Sequence, residues 1–200
     1  MYKSGGCDRE ALTRDLTETM RFGRDKLVAE PTPNLGRADV VFSSAASREL
    51  YGGCAGRMRA AYKVYGYSDW EIGAPVVPDA AGDRVTLVAR KSLPNSSENA
   101  AFDAEGAPVR DVTMIEDGVA RRFLGSRQFS QYLKLEDSFQ PGNFEVSGGQ
   151  VDAAALREGQ FLETVEFSDF QVDPFNGDIA GENRLSTPSP RTRWTATSRP

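Results

Sequence analysis

Apolar residues first recur at helical spacing between residues 8 and 29. Leu12, Leu16, Met20 and Leu27 fall on or near one stripe, with Arg, Asp and Glu around the rest. This spacing predicts an amphipathic helix whose stripe packs on a sheet or a partner. Asp8 is placed to cap it, Glu10 sits in its first turn, and Pro31 and Pro33 end it. ADVVF, Ala38 to Phe42, is a short strand-type run. Ser43 and Ser44 are then placed to cap a second helix over about 45–61, with Leu50 and Met58 inward. That segment also carries Gly52, Gly53 and Gly56. Each glycine costs up to about 1 kcal/mol relative to Ala inside a helix. Either the backbone leaves the helix there or another segment comes close.

The pattern then turns to strands. Tyr62, Tyr65, Tyr67 and Trp70 predict a partly buried aromatic cluster under a loop. Val85, Leu87 and Ala89 set one face of a strand over Arg84–Arg90, and Leu93–Ala101 is a polar loop. Val109–Ile115 and Val119–Leu124 flank Glu116-Asp117-Gly118, which predicts a hairpin with Gly118 at positive φ. A helix is expected over 126–134, beginning near Ser126, with Phe129, Tyr132 and Leu133 as its apolar positions. Asp152 caps a short helix over 153–158, with Gly159 just past its end. Phe161, Val165, Phe167 and Phe170 mark a strand, Asn176-Gly177 its turn, and Asp178 to about Leu185 the return. The fold class is α+β, a β-rich core of antiparallel hairpins with flanking helices. The expected division is an N-terminal helical segment 1–34, a domain over 35–185 and a disordered tail 186–200. The tail has no Asp or Glu and no periodicity.

Composition narrows the chemistry. The 200 residues are 39% hydrophobic and 26% charged, enough for an ordinary core. The net charge of -5 comes from interleaved acids and arginines. No broad basic face is implied, so nucleic acid is not an expected partner. No apolar run reaches the length of a membrane span, and MYKSGGCDRE has no apolar core of a signal peptide. No membrane partner is expected, and a cytoplasmic location is. Cys7 and Cys54 are expected as free thiols. With no clear cationic neighbour in sequence, Cys54 reads as a small buried hydrophobe.

The chain has no histidine. That excludes a His general base, a His metal ligand, and the Ser-His-Asp and Cys-His sites. Acids remain as candidates. Asp103, Glu105, Glu116 and Asp117 alternate with glycines, and Arg121 and Arg122 follow. Carboxylate catalysis needs two acids converging on one pocket with separated pKa values. A hairpin tip holds its acids in water, so Asp103 to Arg122 is read as scaffold. The expectation is no catalytic, cofactor-binding or metal-binding residue, and no cofactor.

Three blocks together resemble a known family, the TldD/PmbA group, related to metallopeptidases and named as modulators of DNA gyrase. They are ADVVF at Ala38 to Phe42, Pro94 to Leu135, and Asp152 to Leu185. Phe102-Asp103-Ala104-Glu105-Gly106, Ile115-Glu116-Asp117-Gly118 and Asn176-Gly177-Asp178 fit places in the family's order. The resemblance implies a cytosolic protein of zinc-peptidase type working in a two-subunit assembly. One paralogue carries a His-Glu-x-x-x-His helix and a late Cys ligand; the other, PmbA-like, lacks the motif. The motif would fall near Gly52, Gly53 and Gly56, so this chain looks like the metal-free paralogue. The resemblance covers the family's C-terminal half, which implies a fragment, a truncated copy or a frame-disrupted one. It leaves open whether the chain is an enzyme. The expected partners are a zinc-bearing TldD-like paralogue, in a hetero-oligomer, and a peptide or protein substrate. The alternative is a peptide-binding or structural module, or degenerate gene product, with no proteolytic role.

Overall fold

The computed structural model describes residues 5–31, 38–147, 149–173, 178–188 and 195–196. The chain is α+β and divides into two units. One contains Gly52–Gln150 together with the described residues before Arg9; the other contains Arg9–Tyr51, Val151–Asp173 and the described residues beyond 177.

In the second unit, α1 spans Arg9–Leu27 and β1 is Glu30–Pro31. β2 spans Asp39–Phe42, and α2 starts at Ser44 and ends at Arg57, crossing the unit boundary. Ser43 is the N-cap of α2. Its hydroxyl accepts from the Ala46 amide at 3.4 Å and donates to the Val165 carbonyl at 3.1 Å. Further along, β7 spans Phe161–Val172, β8 Ile179–Pro188 and β9 Thr195–Ala196. Together with β1 and β2 they form a five-stranded sheet in the order β1-β9-β8-β7-β2. β7 and β8 pair antiparallel, as the Asn176-Gly177 turn leads one to expect; the turn itself lies outside the described residues. β2 pairs with β7 in parallel, with Asp39 opposite Phe161 and Phe42 opposite Thr164.

The β7–β8 ladder shifts register between Thr164 and Glu166, between Glu166 and Phe167, and between Phe167 and Asp169. Strict alternation puts Phe167 and Phe170 on opposite faces. Here their rings meet at 4.9 Å, and Phe42 lies 6.2 Å from each. Gly181 leaves them room: a Cβ there would sit about 3 Å from both rings.

The other unit holds α3 (Ala60–Val64), β3 (Leu87–Arg90), β4 (Val112–Glu116), β5 (Val119–Ala120), α4 (Arg127–Tyr132) and β6 (Asn143–Val146). Its antiparallel sheet runs β5-β4-β3-β6. Met58, Leu87, Ala89, Met114, Ile115, Leu124 and Phe139 are almost wholly buried in one core, with Trp70, Leu135 and Phe144 packed on its margin.

Several expectations change in detail. The helix over 45–61 breaks in two at Met58 and Arg59. There Arg59 bridges Leu124, the Leu124 amide donates to the Met58 carbonyl, and the Ala60 amide donates to the Leu124 carbonyl. The backbone through Gly52, Gly53 and Gly56 is helical. No segment crowds Gly52, and Gly56 meets the Tyr62 ring at an ordinary 3.5 Å. Neither reason expected for these glycines therefore holds at Gly52. The strand expected over 84–90 starts at Leu87. The return strand expected over 119–124 is only Val119–Ala120, because the Arg121 and Arg122 amides both turn back to the Met114 carbonyl. The helix over 153–158 is a single 3₁₀ turn, Ala155–Arg157, with Asp152 accepting from the Ala154 amide. Ser186 to Pro188, expected in the disordered tail, continue β8, and Thr195–Ala196 pair as β9. Residues 189–194 and 197–200 lie outside the described residues.

Candidate functional site

The acidic loop before β4 is held by its own backbone. Asp103 Oδ1 accepts from the Glu105 and Ala107 amides, both at 2.9 Å, and Oδ2 accepts from the Gln140 amide at 2.9 Å. Desolvation alone would raise the carboxyl's pKa. The three amides, with Arg127 nearby, outweigh it and hold the pKa below its ordinary value. Glu105 Oε2 accepts from the Arg127 amide at 2.7 Å. It therefore caps α4 from 22 residues away, while Ser126, the expected start of that helix, makes no side-chain cap bond. At the hairpin tip Asp117 and Gly118 both take positive φ, 47° and 72°, as a primed two-residue turn requires. Glu116 pairs with Arg121 at 3.0 Å across the hairpin. The structure thus places Asp103, Glu105, Glu116 and Asp117 in four local roles and does not bring them together.

Behind this loop lies an open cleft of about 370 Å³, lined by Glu105, Pro108, Arg110, Arg127, Leu135 and Asp137, among others. Arg110 donates to the Asp137 carbonyl at 2.7 Å and pairs with its carboxylate at 3.4 Å. No local motif announces this cleft, because its wall is assembled from residues 33 positions apart between Glu105 and Ser138.

α2 carries Cys54, partly buried. Burial pushes its thiol pKa up, and Arg57, which favours the thiolate, does not overcome this. The Arg57 guanidinium instead lies 5.0 Å over the Trp70 ring and pairs with Asp69. Of the expected aromatic cluster, Tyr62 and Tyr67 meet edge-on at 5.6 Å and Tyr65 meets Tyr67 at 5.8 Å and Phe129 at 5.2 Å, but Tyr65 is exposed and Trp70 packs instead against Arg57 and the margin of the core. Among the described residues no three Cys, Asp or Glu side chains converge as a metal site would need.

Comparison with protein families matches residues 35–184 to the PmbA/TldA metallopeptidase C-terminal domain. The chain belongs to that family. No curated protein matches it. Solved structures share its fold at low identity. TldE from Thermococcus kodakarensis is 14% identical with a TM-score of 0.61, over 80% of this chain and 39% of its own. A Thermotoga maritima protein named as a modulator of a DNA gyrase is 15% identical with a TM-score of 0.67, over 84% and 41%. One from Bacteroides thetaiotaomicron with the same naming is 13% identical with a TM-score of 0.65, over 86% and 43%. The chain therefore spans about two fifths of these proteins.

As a metallopeptidase-related PmbA/TldA domain, the chain invites a test of its donors against zinc. A catalytic zinc takes about three protein ligands of His, Cys or carboxylate type and keeps one position open. The chain has no histidine. On α2 the glutamate, Glu49, is exposed and five residues before Cys54, whose thiol is held in its neutral form. These residues do not fit a catalytic zinc.

Proposed function

We propose that this PmbA/TldA-family chain is a non-catalytic, cytoplasmic subunit that supports proteolysis by a zinc-bearing partner of the same family. One observation carries the reading: the well-formed helix α2 offers Gly52, Gly53, Cys54 and Gly56 where the family resemblance puts a metal-binding motif. A glycine has no donor, and a neutral, half-buried thiol is a poor one. The scaffold is kept while the ligands are not. An extended peptide would join an exposed sheet edge by strand addition. β2 and β6 lie at the edges of their sheets.

The test is co-purification with a zinc-bearing family paralogue, followed by metal analysis of each chain. The expected result is a complex in which zinc travels only with the partner. Zinc bound stoichiometrically to this chain alone, or no association with any paralogue, overturns the reading.

A further inference from the structure

We propose that the cleft behind the Asp103 loop binds a small zwitterion with an aliphatic side chain, its carboxylate on Arg127 and its ammonium on Asp137. The cleft, of about 370 Å³, lies wholly within the Gly52–Gln150 unit. Its size is near the lower end for small-molecule sites. Both walls are set by the fold. On one side the Asp103 carboxylate holds the Glu105 and Ala107 amides. On the other, Arg122 and Arg110 donate to the consecutive carbonyls of Glu136 and Asp137. The Lys134 and Leu135 amides donate to the Gln131 and Ser130 carbonyls and close the end of α4. A site shaped in advance loses little freedom when a ligand enters.

The lining charges select the ligand. They number two of each sign: Glu105 and Asp137 against Arg110 and Arg127. A bare anion or cation meets no net attraction there, whereas a ligand carrying both charges is held at both ends. Arg110 is committed to the fold, because its guanidinium donates to the Asp137 carbonyl at 2.7 Å. Arg127 is not. It enters no ion pair among the described residues, and its guanidinium reaches the Glu105 carbonyl at a long 3.5 Å. An open guanidinium fork takes a carboxylate through two parallel hydrogen bonds. The Asp137 carboxylate is 75% exposed and meets Arg110 at 3.4 Å, which leaves it capacity for an ammonium. Asp137 also holds a φ of 50°. That conformation is uncommon for a residue with a Cβ and is of the kind that gathers at ligand clamps. Pro108 and Leu135, in the same lining, offer apolar surface to a side chain.

Two sources share this chemistry, a free amino acid and a short peptide with both ends free. Isothermal titration of the full chain with leucine and with glycyl-leucine separates them, and the tighter probe should bind with a Kd on the order of 1 mM. Its N-acetylated form and its C-terminal amide should each bind about tenfold more weakly. Arg127→Gln and Asp137→Asn should each weaken the zwitterion about fivefold or more, with an unchanged circular dichroism spectrum. Asn at 137 keeps the carbonyl that Arg110 uses and accepts positive φ. Arg127→Gln should leave binding of the amide form unchanged, because that probe lacks the carboxylate Arg127 holds. Absence of binding by both probes at about 10 mM overturns the proposal. So does equal binding of the blocked forms, indifference to both substitutions, or competition by inorganic sulfate, which marks a bare anion site. None of these outcomes involves a zinc-bearing paralogue, so the cleft and the accessory role stand or fall separately.

Discussion

Asp103 gives both carboxylate oxygens to backbone amides, and three short bonds converge on one charge. Removing it leaves those amides without their acceptor. Asp103→Ala should lower stability by about 2–3 kcal/mol, read by urea denaturation. The sign of the pH dependence follows from the depressed pKa. Its contribution is present above the ordinary value of 3.8 and is lost as pH falls through the lower folded-state pKa. The wild type should therefore lose stability between these points more steeply than Asp103→Ala, in urea midpoints taken across the acid range. Cys54 gives a second residue-scale expectation. Cys7 is exposed, whereas the Cys54 thiol is half-buried with a raised pKa. A disulfide reagent at neutral pH should titrate one thiol quickly and the second only slowly or on unfolding. Two equally fast thiols would contradict the reading of Cys54 as inert. At this scale the sequence was informative about type and not about partner. The scaffold role of the Asp103 loop could be read from its glycines and turn signals. That Glu105 caps α4 and Asp103 reaches Gln140 could not, because both bonds cross more than twenty residues.

Helices and strands were legible where their pattern was local. α1 lies where the stripe of Leu12, Leu16, Met20 and Leu27 put it, and the hairpin turns at Asp117-Gly118 because both residues accept positive φ. Boundaries set by tertiary contact were not legible. The break between α2 and α3 is an example: the Leu124 amide donates to the Met58 carbonyl and its carbonyl accepts from the Ala60 amide, and nothing in residues 58–60 signals it. The same contact makes Gly125 intolerant. A Cβ at Gly125 would stand 2.8 Å from the Ala60 Cβ and 3.4 Å from its amide nitrogen, so either α3 or the 124–125 segment must shift. Gly125→Ala should cost about 1–3 kcal/mol, seen as a lower urea midpoint with little change in secondary structure. Phe167 and Phe170 teach the same lesson for strands. Their spacing places them on opposite faces, and only the register shifts in β7 bring the rings together over Gly181.

For the whole molecule, class was legible and topology was not. α+β follows from helical and alternating patterns side by side. The split into two sheets does not, because β2 finds its neighbour in β7 some 120 residues later, and a four-residue run such as DVVF carries no address. The absence of histidine remains the most discriminating whole-chain observation. It rules out, without any coordinate, any site in this chain that needs its own histidine as base or metal ligand.

The parallel pairing of β2 with β7 also has a kinetic meaning. Asp39 cannot meet Phe161 until everything between them has been made, and closing so long a segment carries an entropic cost that grows with its length. The sheet β5-β4-β3-β6 lies wholly inside that segment, and its strands pair over shorter separations. During synthesis the inner sheet can form while β7 is still unmade. During refolding, pulse-labelled hydrogen exchange should protect Met114 and Ala89 amides before those of Val41 and Thr164. Simultaneous protection of all four would mean that the outer strands find each other without waiting for the segment they enclose.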